Sequence, residues 1–125
     1  MGDRLKDKIA VISGGTSGIG EATVELFMNE GAQVVFSGRT EGKGNALAER
    51  TGATYVKADI MSEDDIKATI DTAVEKFGGL DILFNNAGGN TYGPVDSVTE
   101  EAVSYAWKLL FNSAVLSTKH AIPHM

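Results

Sequence analysis

Short apolar runs alternate along the chain with longer segments in which apolar residues recur every three or four positions. A continuous apolar run is typical of a strand buried on both faces, and the longer spacing is typical of a helix. The runs predict four strands, at 9–12, 34–36, 54–56 and 82–84. Between the strands the spacing predicts three helices, ended by glycines at 31, 52 and 78. A fourth, longer helix is predicted from about Thr99 to about Ala121, shortly before Pro123.

Apolar stripes at helical spacing mark the first and third predicted helices. The stripe of the first helix consists of Ile19, Ala22, Thr23, Leu26 and Phe27. The second helix, at 41–50, is short, and Ser62 is a suitable N-cap for the third. Strands that alternate with helices through three crossovers predict a parallel sheet, and right-handed crossovers make it doubly wound. The 125 residues are therefore predicted to form one α/β domain, 1–125.

Composition and charge exclude several classes of function. Hydrophobic residues make up 42% of the chain and charged residues 22%, which is ordinary for a globular protein. The formal charge of −6 has the wrong sign for holding nucleic acid through phosphate contacts. The chain has no cysteine, no secretory signal pattern and no apolar stretch of the roughly 20 residues that cross a bilayer. We therefore expect a cytoplasmic protein that binds neither nucleic acid nor membrane.

A glycine-rich segment, residues 13–20, lies between the first strand and the first helix. Glycines there allow backbone N–H groups to approach a phosphate, and the helix dipole directs its positive end at the same place. Gly14, Gly18 and Gly20 do not have the G-x-G-x-x-G spacing of the general dinucleotide fingerprint, because three residues separate the first two. The segment therefore predicts a phosphate site, and the alternative is a tight turn without a ligand.

The end of the second strand bears on the choice of nucleotide. A carboxylate that binds the ribose is expected there in NAD-binding proteins. This chain instead has Arg39, and its first carboxylate is Glu41. The planar guanidinium of an arginine suits the oxygens of a 2′-phosphate. Arg39 therefore favours NADP over NAD, and the alternative is an ordinary solvated cation.

Three motifs in order resemble the short-chain dehydrogenase/reductase family. They are residues 14–20, Ala58-Asp59-Ile60 after the third strand, and Asn85-Asn86-Ala87-Gly88 after the fourth. The resemblance implies that the chain binds NADP or NAD through Gly14, Thr16, Ser17, Gly18, Ile19, Gly20, Arg39, Asp59, Ile60, Asn86, Ala87 and Gly88. It places the glycine turn at the pyrophosphate, Asp59 and Ile60 at the adenine, and residues 86–88 along the ribose and nicotinamide. From the residues alone, Asp59 could simply precede a helix, and Asn85-Asn86 could form a turn that satisfies its own backbone.

Asn112 lies in the interior of the predicted final helix. Asparagine is unfavourable there because its amide competes with the backbone for hydrogen bonds. By resemblance, Asn112 matches the asparagine that holds a water of the family's proton relay, which makes it the one catalytic position in this chain. A locally satisfied amide is the alternative.

The resemblance also implies an oxidoreductase whose remaining catalytic residues are missing from this sequence. The family uses a serine followed by a Tyr-x-x-x-Lys pair, downstream of the final helix. Tyr55, Tyr92 and Tyr105 have no lysine four residues later. We therefore expect a Rossmann-type doubly wound parallel sheet in the order 3-2-1-4, without its C-terminal half, that is inactive alone. The parent reaction would move a hydride between the nicotinamide and an alcohol or carbonyl substrate.

Asn90, Thr91 and Tyr92 are candidates for the substrate pocket. His120 and His124 lack carboxylate partners at ligand spacing in the sequence, so we assign them no chemistry and expect no metal site.

The final helix is apolar on more than one side, which predicts burial all round, against a second subunit of a homo-oligomer or against chain outside these residues. The alternative functions are a non-catalytic dinucleotide-binding or subunit-interaction module and a flavodoxin-like regulator.

Overall fold

The structure, a computed structural model, describes residues 2–89 and 93–125. Its strands are β1 (Ile9–Ile12), β2 (Gln33–Gly38), β3 (Thr54–Lys57) and β4 (Ile82–Phe84). Its α-helices are α1 (Gly18–Asn29), α2 (Glu41–Thr51), α3 (Glu63–Phe77), α4 (Glu100–Ala106) and α5 (Ser113–Ala121). A π-helical segment, Trp107–Asn112, joins α4 to α5. Asn90, Thr91 and Tyr92, the predicted substrate-pocket residues, lie outside the described residues.

The four strands form one parallel sheet in the order β3-β2-β1-β4. Val11 on β1 is paired with Val35 on β2 and with Leu83 on β4. This order confirms the predicted 3-2-1-4 arrangement. It brings the carboxyl ends of β1, β2 and β4 together at one edge, where the glycine-rich segment begins.

Alternate residues of the central strands point to opposite faces of the sheet, and each face has its own core. Ala10, Ile12, Val34 and Phe36 belong to the core under α1 and α2, and Val11 and Val35 belong to the core under α3 and α5. Helices on both faces make the sheet doubly wound, as the alternation of elements predicted.

The apolar residues at helical spacing in α1 are not all buried. Ile19 is 71% exposed and Leu26 is 50% exposed, whereas Gly20 and Val24 are buried. The close approach of Gly20 to the carbonyl of Gly14 turns the line from Gly20 to Val24 toward the sheet. The exposed Ile19 is left facing the cleft described below.

The final helix is covered on one side within the described chain, and its burial on the other sides, against a second subunit or further chain, stays a prediction. Its buried residues recur every fourth position, at Leu109, Ser113, Ser117 and Ala121. Residues four apart lie on one face of a helix, so a single face is covered. The exposed apolar residues are Val103, Tyr105, Trp107, Leu110, Phe111 and Val115. Apolar composition predicts that these sides are covered, but it does not indicate whether the covering surface belongs to the same chain.

His120 has a carboxylate partner that the sequence spacing did not predict. Its Nε2 lies 2.7 Å from Oε2 of Glu63, and Lys119 Nζ donates to the same oxygen at 2.7 Å. The hydrogen bonds from Lys119 and His120 lower the pKa of the Glu63 carboxyl below its usual value. The cluster joins the first turn of α3 to the last turn of α5, and the charges of Glu63 and Lys119 each have the sign that their helix end favours. We therefore assign it to the packing of two helices.

Within residues 2–89 and 93–125, no group of three histidine or acidic side chains is placed to hold a metal ion. None of the helices formed by these residues is long and apolar enough to span a membrane.

Candidate functional site

A cleft of about 480 Å³ opens at the carboxyl edge of the sheet. The predicted site residues that line it are Gly14, Thr16, Ser17, Ile19, Arg39, Asp59, Ile60, Asn86, Ala87 and Gly88. Further lining residues, which sequence reasoning did not select, include Gly38, Thr40, Met61, Gly89, Tyr105 and Leu109. Clefts at this position of a doubly wound sheet are where such folds bind ligands. The three sequence motifs, which extend from Gly14 to Gly88 along the chain, therefore meet at one surface.

Gly18, Gly20 and Asn112 are the predicted site residues that do not line the cleft. Gly18 and Gly20 belong to the turn that forms its floor, where they shape the backbone. Asn112 lies on the last helix, three residues beyond Leu109, which does line the cleft.

The glycine turn exposes backbone donors at the start of α1. Gly14 (φ 68°) and Gly18 (φ 56°) adopt left-handed conformations that favour glycine. Ser17, the N-cap residue, makes no side-chain hydrogen bond to the helix. The first N–H groups of α1 therefore have no intrahelical partner and no cap, at an end that carries partial positive charge. Such an end is suited to a phosphate.

Gly20 and Asn86 close the turn against the segment 85–88. Asn86 Nδ2 donates to the carbonyl oxygen of Gly14 at 3.1 Å. A Cβ on Gly20 would overlap that same oxygen and would lie 2.7 Å from Asn86 Nδ2. Glycine is therefore required at position 20 by space. The Asn86 amide bonds to the glycine turn, and the sequence alternative of a self-satisfied turn does not describe it.

Ser13, which was not among the residues selected from the sequence, connects two parts of the site. Its hydroxyl accepts hydrogen bonds from the N–H groups of Asn86 (3.0 Å) and Ala87 (3.1 Å) and donates to the carbonyl of Phe84 at 3.4 Å. The side chain is buried. Ser13 thus joins the end of β1 to the segment after β4 and holds residues 86–88 at the cleft. A small polar residue directly after a strand buried on both faces was the signal that could have identified it.

The opposite end of the cleft is formed by the ends of β2 and β3. Arg39 is exposed there, and within residues 2–89 and 93–125 it belongs to none of the ion pairs. One carboxylate oxygen of Asp59 accepts from the N–H of Met61 at 2.9 Å, while the Asp59 N–H donates to Asp65 at 2.8 Å. Asp59 therefore both orders the turn before α3 and faces the cleft.

The final helix changes register at Asn112. The N–H of Ser113 donates to the carbonyl of Lys108, five residues earlier, and the Ser113 hydroxyl donates to the carbonyl of Leu109 at 2.6 Å. The hydroxyl thereby satisfies a carbonyl that the N–H of Ser113 would occupy in a regular α-helix. Single-turn π segments occur often at functional sites. Asn112 is the half-buried last residue of this one.

Residues 8–125 match the sequence model of the short chain dehydrogenase family. Tropinone reductase-like 1 of Erythroxylum coca is 44% identical over 94% of this chain and 46% of its own length. The (+)-borneol dehydrogenase 1 of Salvia officinalis is 39% identical over 94% of the chain and 47% of its own length.

A solved structure agrees with these sequence relatives. A doubly substituted short-chain dehydrogenase/reductase of Serratia marcescens superposes with a TM-score of 0.91 at 30% identity, over 97% of this chain and 52% of that one. The chain therefore spans about half the length of the relatives that it matches. The match covers nearly every described residue, and the chain belongs to the short-chain dehydrogenase family.

Proposed function

We propose that this chain is the cofactor-binding half of an NAD(P)-dependent oxidoreductase. The observation that carries the proposal is the cleft, in which the glycine turn is joined to residues 86–88 by Asn86 and Ser13. The fit to a dinucleotide is supported by the backbone cradle that a Cβ at position 14 or 20 would fill and by the uncapped start of α1. A bound nicotinamide supplies the hydride acceptor or donor, for an alcohol or carbonyl substrate respectively.

Each part of the cleft has a distinct role in this proposal. The turn from Gly14 to Gly20 lies at the pyrophosphate, which the N–H groups at the start of α1 bind, with Thr16, Ser17 and Ile19 around it. The N–H of Gly15 is bonded to the carbonyl of Ser37 and takes no part. Asp59 and Ile60 bind the adenine. Asn86, Ala87 and Gly88 lie along the ribose and the nicotinamide, held in place by Ser13.

The names of the relatives support a reductase or dehydrogenase over a non-catalytic module. Hydride transfer to a carbonyl also needs a proton donor at the substrate oxygen, and the 125 residues contain no Tyr-x-x-x-Lys pair to supply one. We therefore expect this chain alone to bind cofactor without turnover, and Asn112 to hold a water for a relay completed by other residues. The predicted roles of Asn90, Thr91 and Tyr92 and the cytoplasmic location stay predictions.

NADP is the preferred cofactor in this proposal, because Arg39 lies at the cleft with its guanidinium unpaired among the described residues. Arg39→Ala should weaken the binding of adenosine 2′,5′-bisphosphate roughly tenfold to a hundredfold, because a charge-assisted hydrogen bond to phosphate is lost. The affinity for 5′-AMP, which lacks the 2′-phosphate, should change by less than about twofold. Isothermal titration of both ligands measures the difference.

A matched control for Arg39→Ala is Arg4→Ala, which removes an exposed arginine that pairs with Glu30 and does not line the cleft. Arg4→Ala should leave both affinities unchanged. Equal weakening of both ligands by Arg39→Ala, or no weakening, would contradict the proposed role in selecting NADP.

We also propose that a second copy of the chain covers the exposed side of the final helix. Trp107 is 57% exposed, and its ring stacks on Phe111 with centroids 4.4 Å apart. Together with Val103, Leu110 and Val115 they form an apolar surface of the kind that marks an interface. Oligomers are usual in this family.

The protein should therefore sediment as a dimer or larger species, and Trp107→Lys should shift it to monomer. A wild-type monomer, or a Trp107→Lys variant that still assembles, would contradict this.

A further inference from the structure

Tyr55, on β3, contacts both β2 and α2 around the end of β2. Its ring packs against Phe36 with the centroids 5.4 Å apart. Its hydroxyl donates to the carbonyl oxygen of Gly38 at 2.7 Å. Its ring also lies so close to Gly44 of α2 that a Cβ there would be no more than 2.5 Å from three ring carbons. In the sequence, Tyr55 is a residue of a predicted strand and a tyrosine without a lysine four residues later.

The carbonyl of Gly38 is held from two directions. The N–H of Ala58 donates to it at 3.1 Å, in addition to the hydroxyl of Tyr55. The peptide bond is planar, so the oxygen of Gly38 and the nitrogen of Arg39 lie in one plane. Fixing the oxygen therefore fixes the direction in which the backbone of Arg39 starts.

Gly38 also contacts the glycine turn. A Cβ on Gly38 would lie 2.5 Å from Cγ2 of Thr16, so the turn and the end of β2 pack directly on each other. The position of Arg39 relative to the phosphate-binding turn is thus set by contacts on both sides of Gly38.

The ring of Tyr55 requires a glycine at position 44, in the interior of α2. Glycine is less favourable than alanine inside a helix, because it has more conformational freedom to lose. Gly44 is an interior residue of α2, and the ring of Tyr55 occupies the space that a methyl group would need. At Gly42, two residues earlier, no heavy atom lies within 4 Å of the corresponding position.

The hydroxyl of Tyr55 is a hydrogen-bond donor at neutral pH. Burial, with a smaller contribution from the charge of Glu41, raises the pKa of the phenol above its usual value. The proton that bonds to Gly38 is therefore retained across the physiological range.

From these contacts we propose that Tyr55 is a positioning residue for cofactor selection: it holds the Gly38–Arg39 peptide so that the guanidinium of Arg39 faces a 2′-phosphate at the cleft. The inference rests on the proposed function, because it assigns Tyr55 a role only through a nucleotide bound there. It predicts that changes at Tyr55 affect recognition of the 2′-phosphate and leave the rest of the nucleotide site intact.

The first test is Tyr55→Phe, which keeps the ring and removes only the hydroxyl. Adenosine 2′,5′-bisphosphate should bind about threefold to tenfold more weakly to the variant, the effect of one lost hydrogen bond. The affinity for 5′-AMP should stay within about twofold of wild type. Both ligands are titrated into the 125-residue chain, and the unfolding temperature is recorded to show that the variant is folded.

A double variant tests whether Tyr55 acts through Arg39. In the Arg39→Ala background, Tyr55→Phe should cause no further loss of affinity for adenosine 2′,5′-bisphosphate. Additive losses would show that the two residues act independently and would overturn the proposal.

Gly44→Ala and Gly42→Ala form a matched pair that changes no polar group. Gly44→Ala should displace the ring of Tyr55 and reduce the preference for the 2′-phosphate severalfold, as Tyr55→Phe does. Gly42→Ala should leave the preference unchanged, because the added methyl group meets no other atom.

The outcomes separate this inference from the function on which it rests. If Arg39→Ala impairs binding of the 2′-phosphate and Tyr55→Phe does not, the role of Tyr55 is overturned while the proposed function stands. Equal weakening of both ligands by Tyr55→Phe would indicate a purely structural role and would also overturn it. If neither ligand binds the wild-type chain, the proposed function fails, and the inference fails with it.

Discussion

Gly20→Ala is expected to abolish detectable binding of NADPH and to lower the free energy of unfolding by about 1–3 kcal/mol, the usual cost of overpacking. The new Cβ would overlap the carbonyl oxygen of Gly14 and approach Asn86 Nδ2 to 2.7 Å. One of these atoms belongs to the backbone, so the turn itself must move. Because the proposed pyrophosphate site consists of the N–H groups of this turn, its loss should remove affinity along with stability. Urea unfolding and a fluorescence titration with NADPH measure the two effects.

Two other glycines are controls for Gly20. At Gly79 an added Cβ would meet nothing within 4 Å, so Gly79→Ala should affect neither binding nor stability appreciably. At Gly18 there is also no steric contact, but the left-handed backbone (φ 56°) should make alanine moderately unfavourable. NADPH binding by Gly20→Ala with wild-type affinity would contradict the proposed role of the turn.

Ser13→Ala is expected to lower the free energy of unfolding by about 1–3 kcal/mol, because it leaves the N–H of half-buried Ala87 without its hydrogen-bond acceptor. The N–H of Asn86 retains the carbonyl of Phe84 at 3.1 Å, so the loss is confined to one donor. Residues 86–88 should then be less well ordered at the cleft. We expect weaker binding of the whole dinucleotide but little change for 5′-AMP, which does not reach these residues. Urea unfolding and titration of NADPH and 5′-AMP provide the test.

Ser117→Ala is the matched control for Ser13→Ala. Ser117 is 3% exposed and Ser13 is 5% exposed, but Ser117 lies on α5 and is not a partner of Asn86 or Ala87. Its replacement should have the smaller effect on stability and none on NADPH binding. Equal effects of the two substitutions would show that Ser13 contributes only its volume.

The sheet was predictable because its signal is local. β1 and β4 are short continuous apolar runs, and their predicted bounds agree with the structure. The order 3-2-1-4 followed from the family resemblance, and the alternation of strands and helices had already limited the topology.

The spacing of apolar residues did not indicate which side of α1 is buried. Ile19 and Leu26 have helical spacing, but the steric fit of Gly20 against Gly14 determines which side of α1 faces the sheet. In the final helix, apolar residues on more than one side predicted burial against a second subunit or further chain, and composition does not identify which surface covers them. Glu63 and His120 are 57 residues apart, so their contact depends on the packing of α3 against α5 and has no local signal.

The candidate site was predictable as a set of motifs but not as a set of contacts. The glycine turn, Asp59 and residues 86–88 were selected from the sequence, and the cleft brings them together. Ser13 and Tyr55 were not selected, because each acts by holding another residue's backbone. Such a role depends on which backbone groups lie within reach after folding.

The most direct test of the proposed cofactor site is backbone hydrogen exchange of the 125-residue chain with and without NADPH. We expect slower exchange in the presence of NADPH at residues 14–20 and 86–88, and at Arg39 and Thr40. Ser117 and its neighbours on α5 should exchange at the same rate in both samples. Exchange unchanged by NADPH throughout residues 14–20 and 86–88 would contradict the assignment of this cleft as a dinucleotide site.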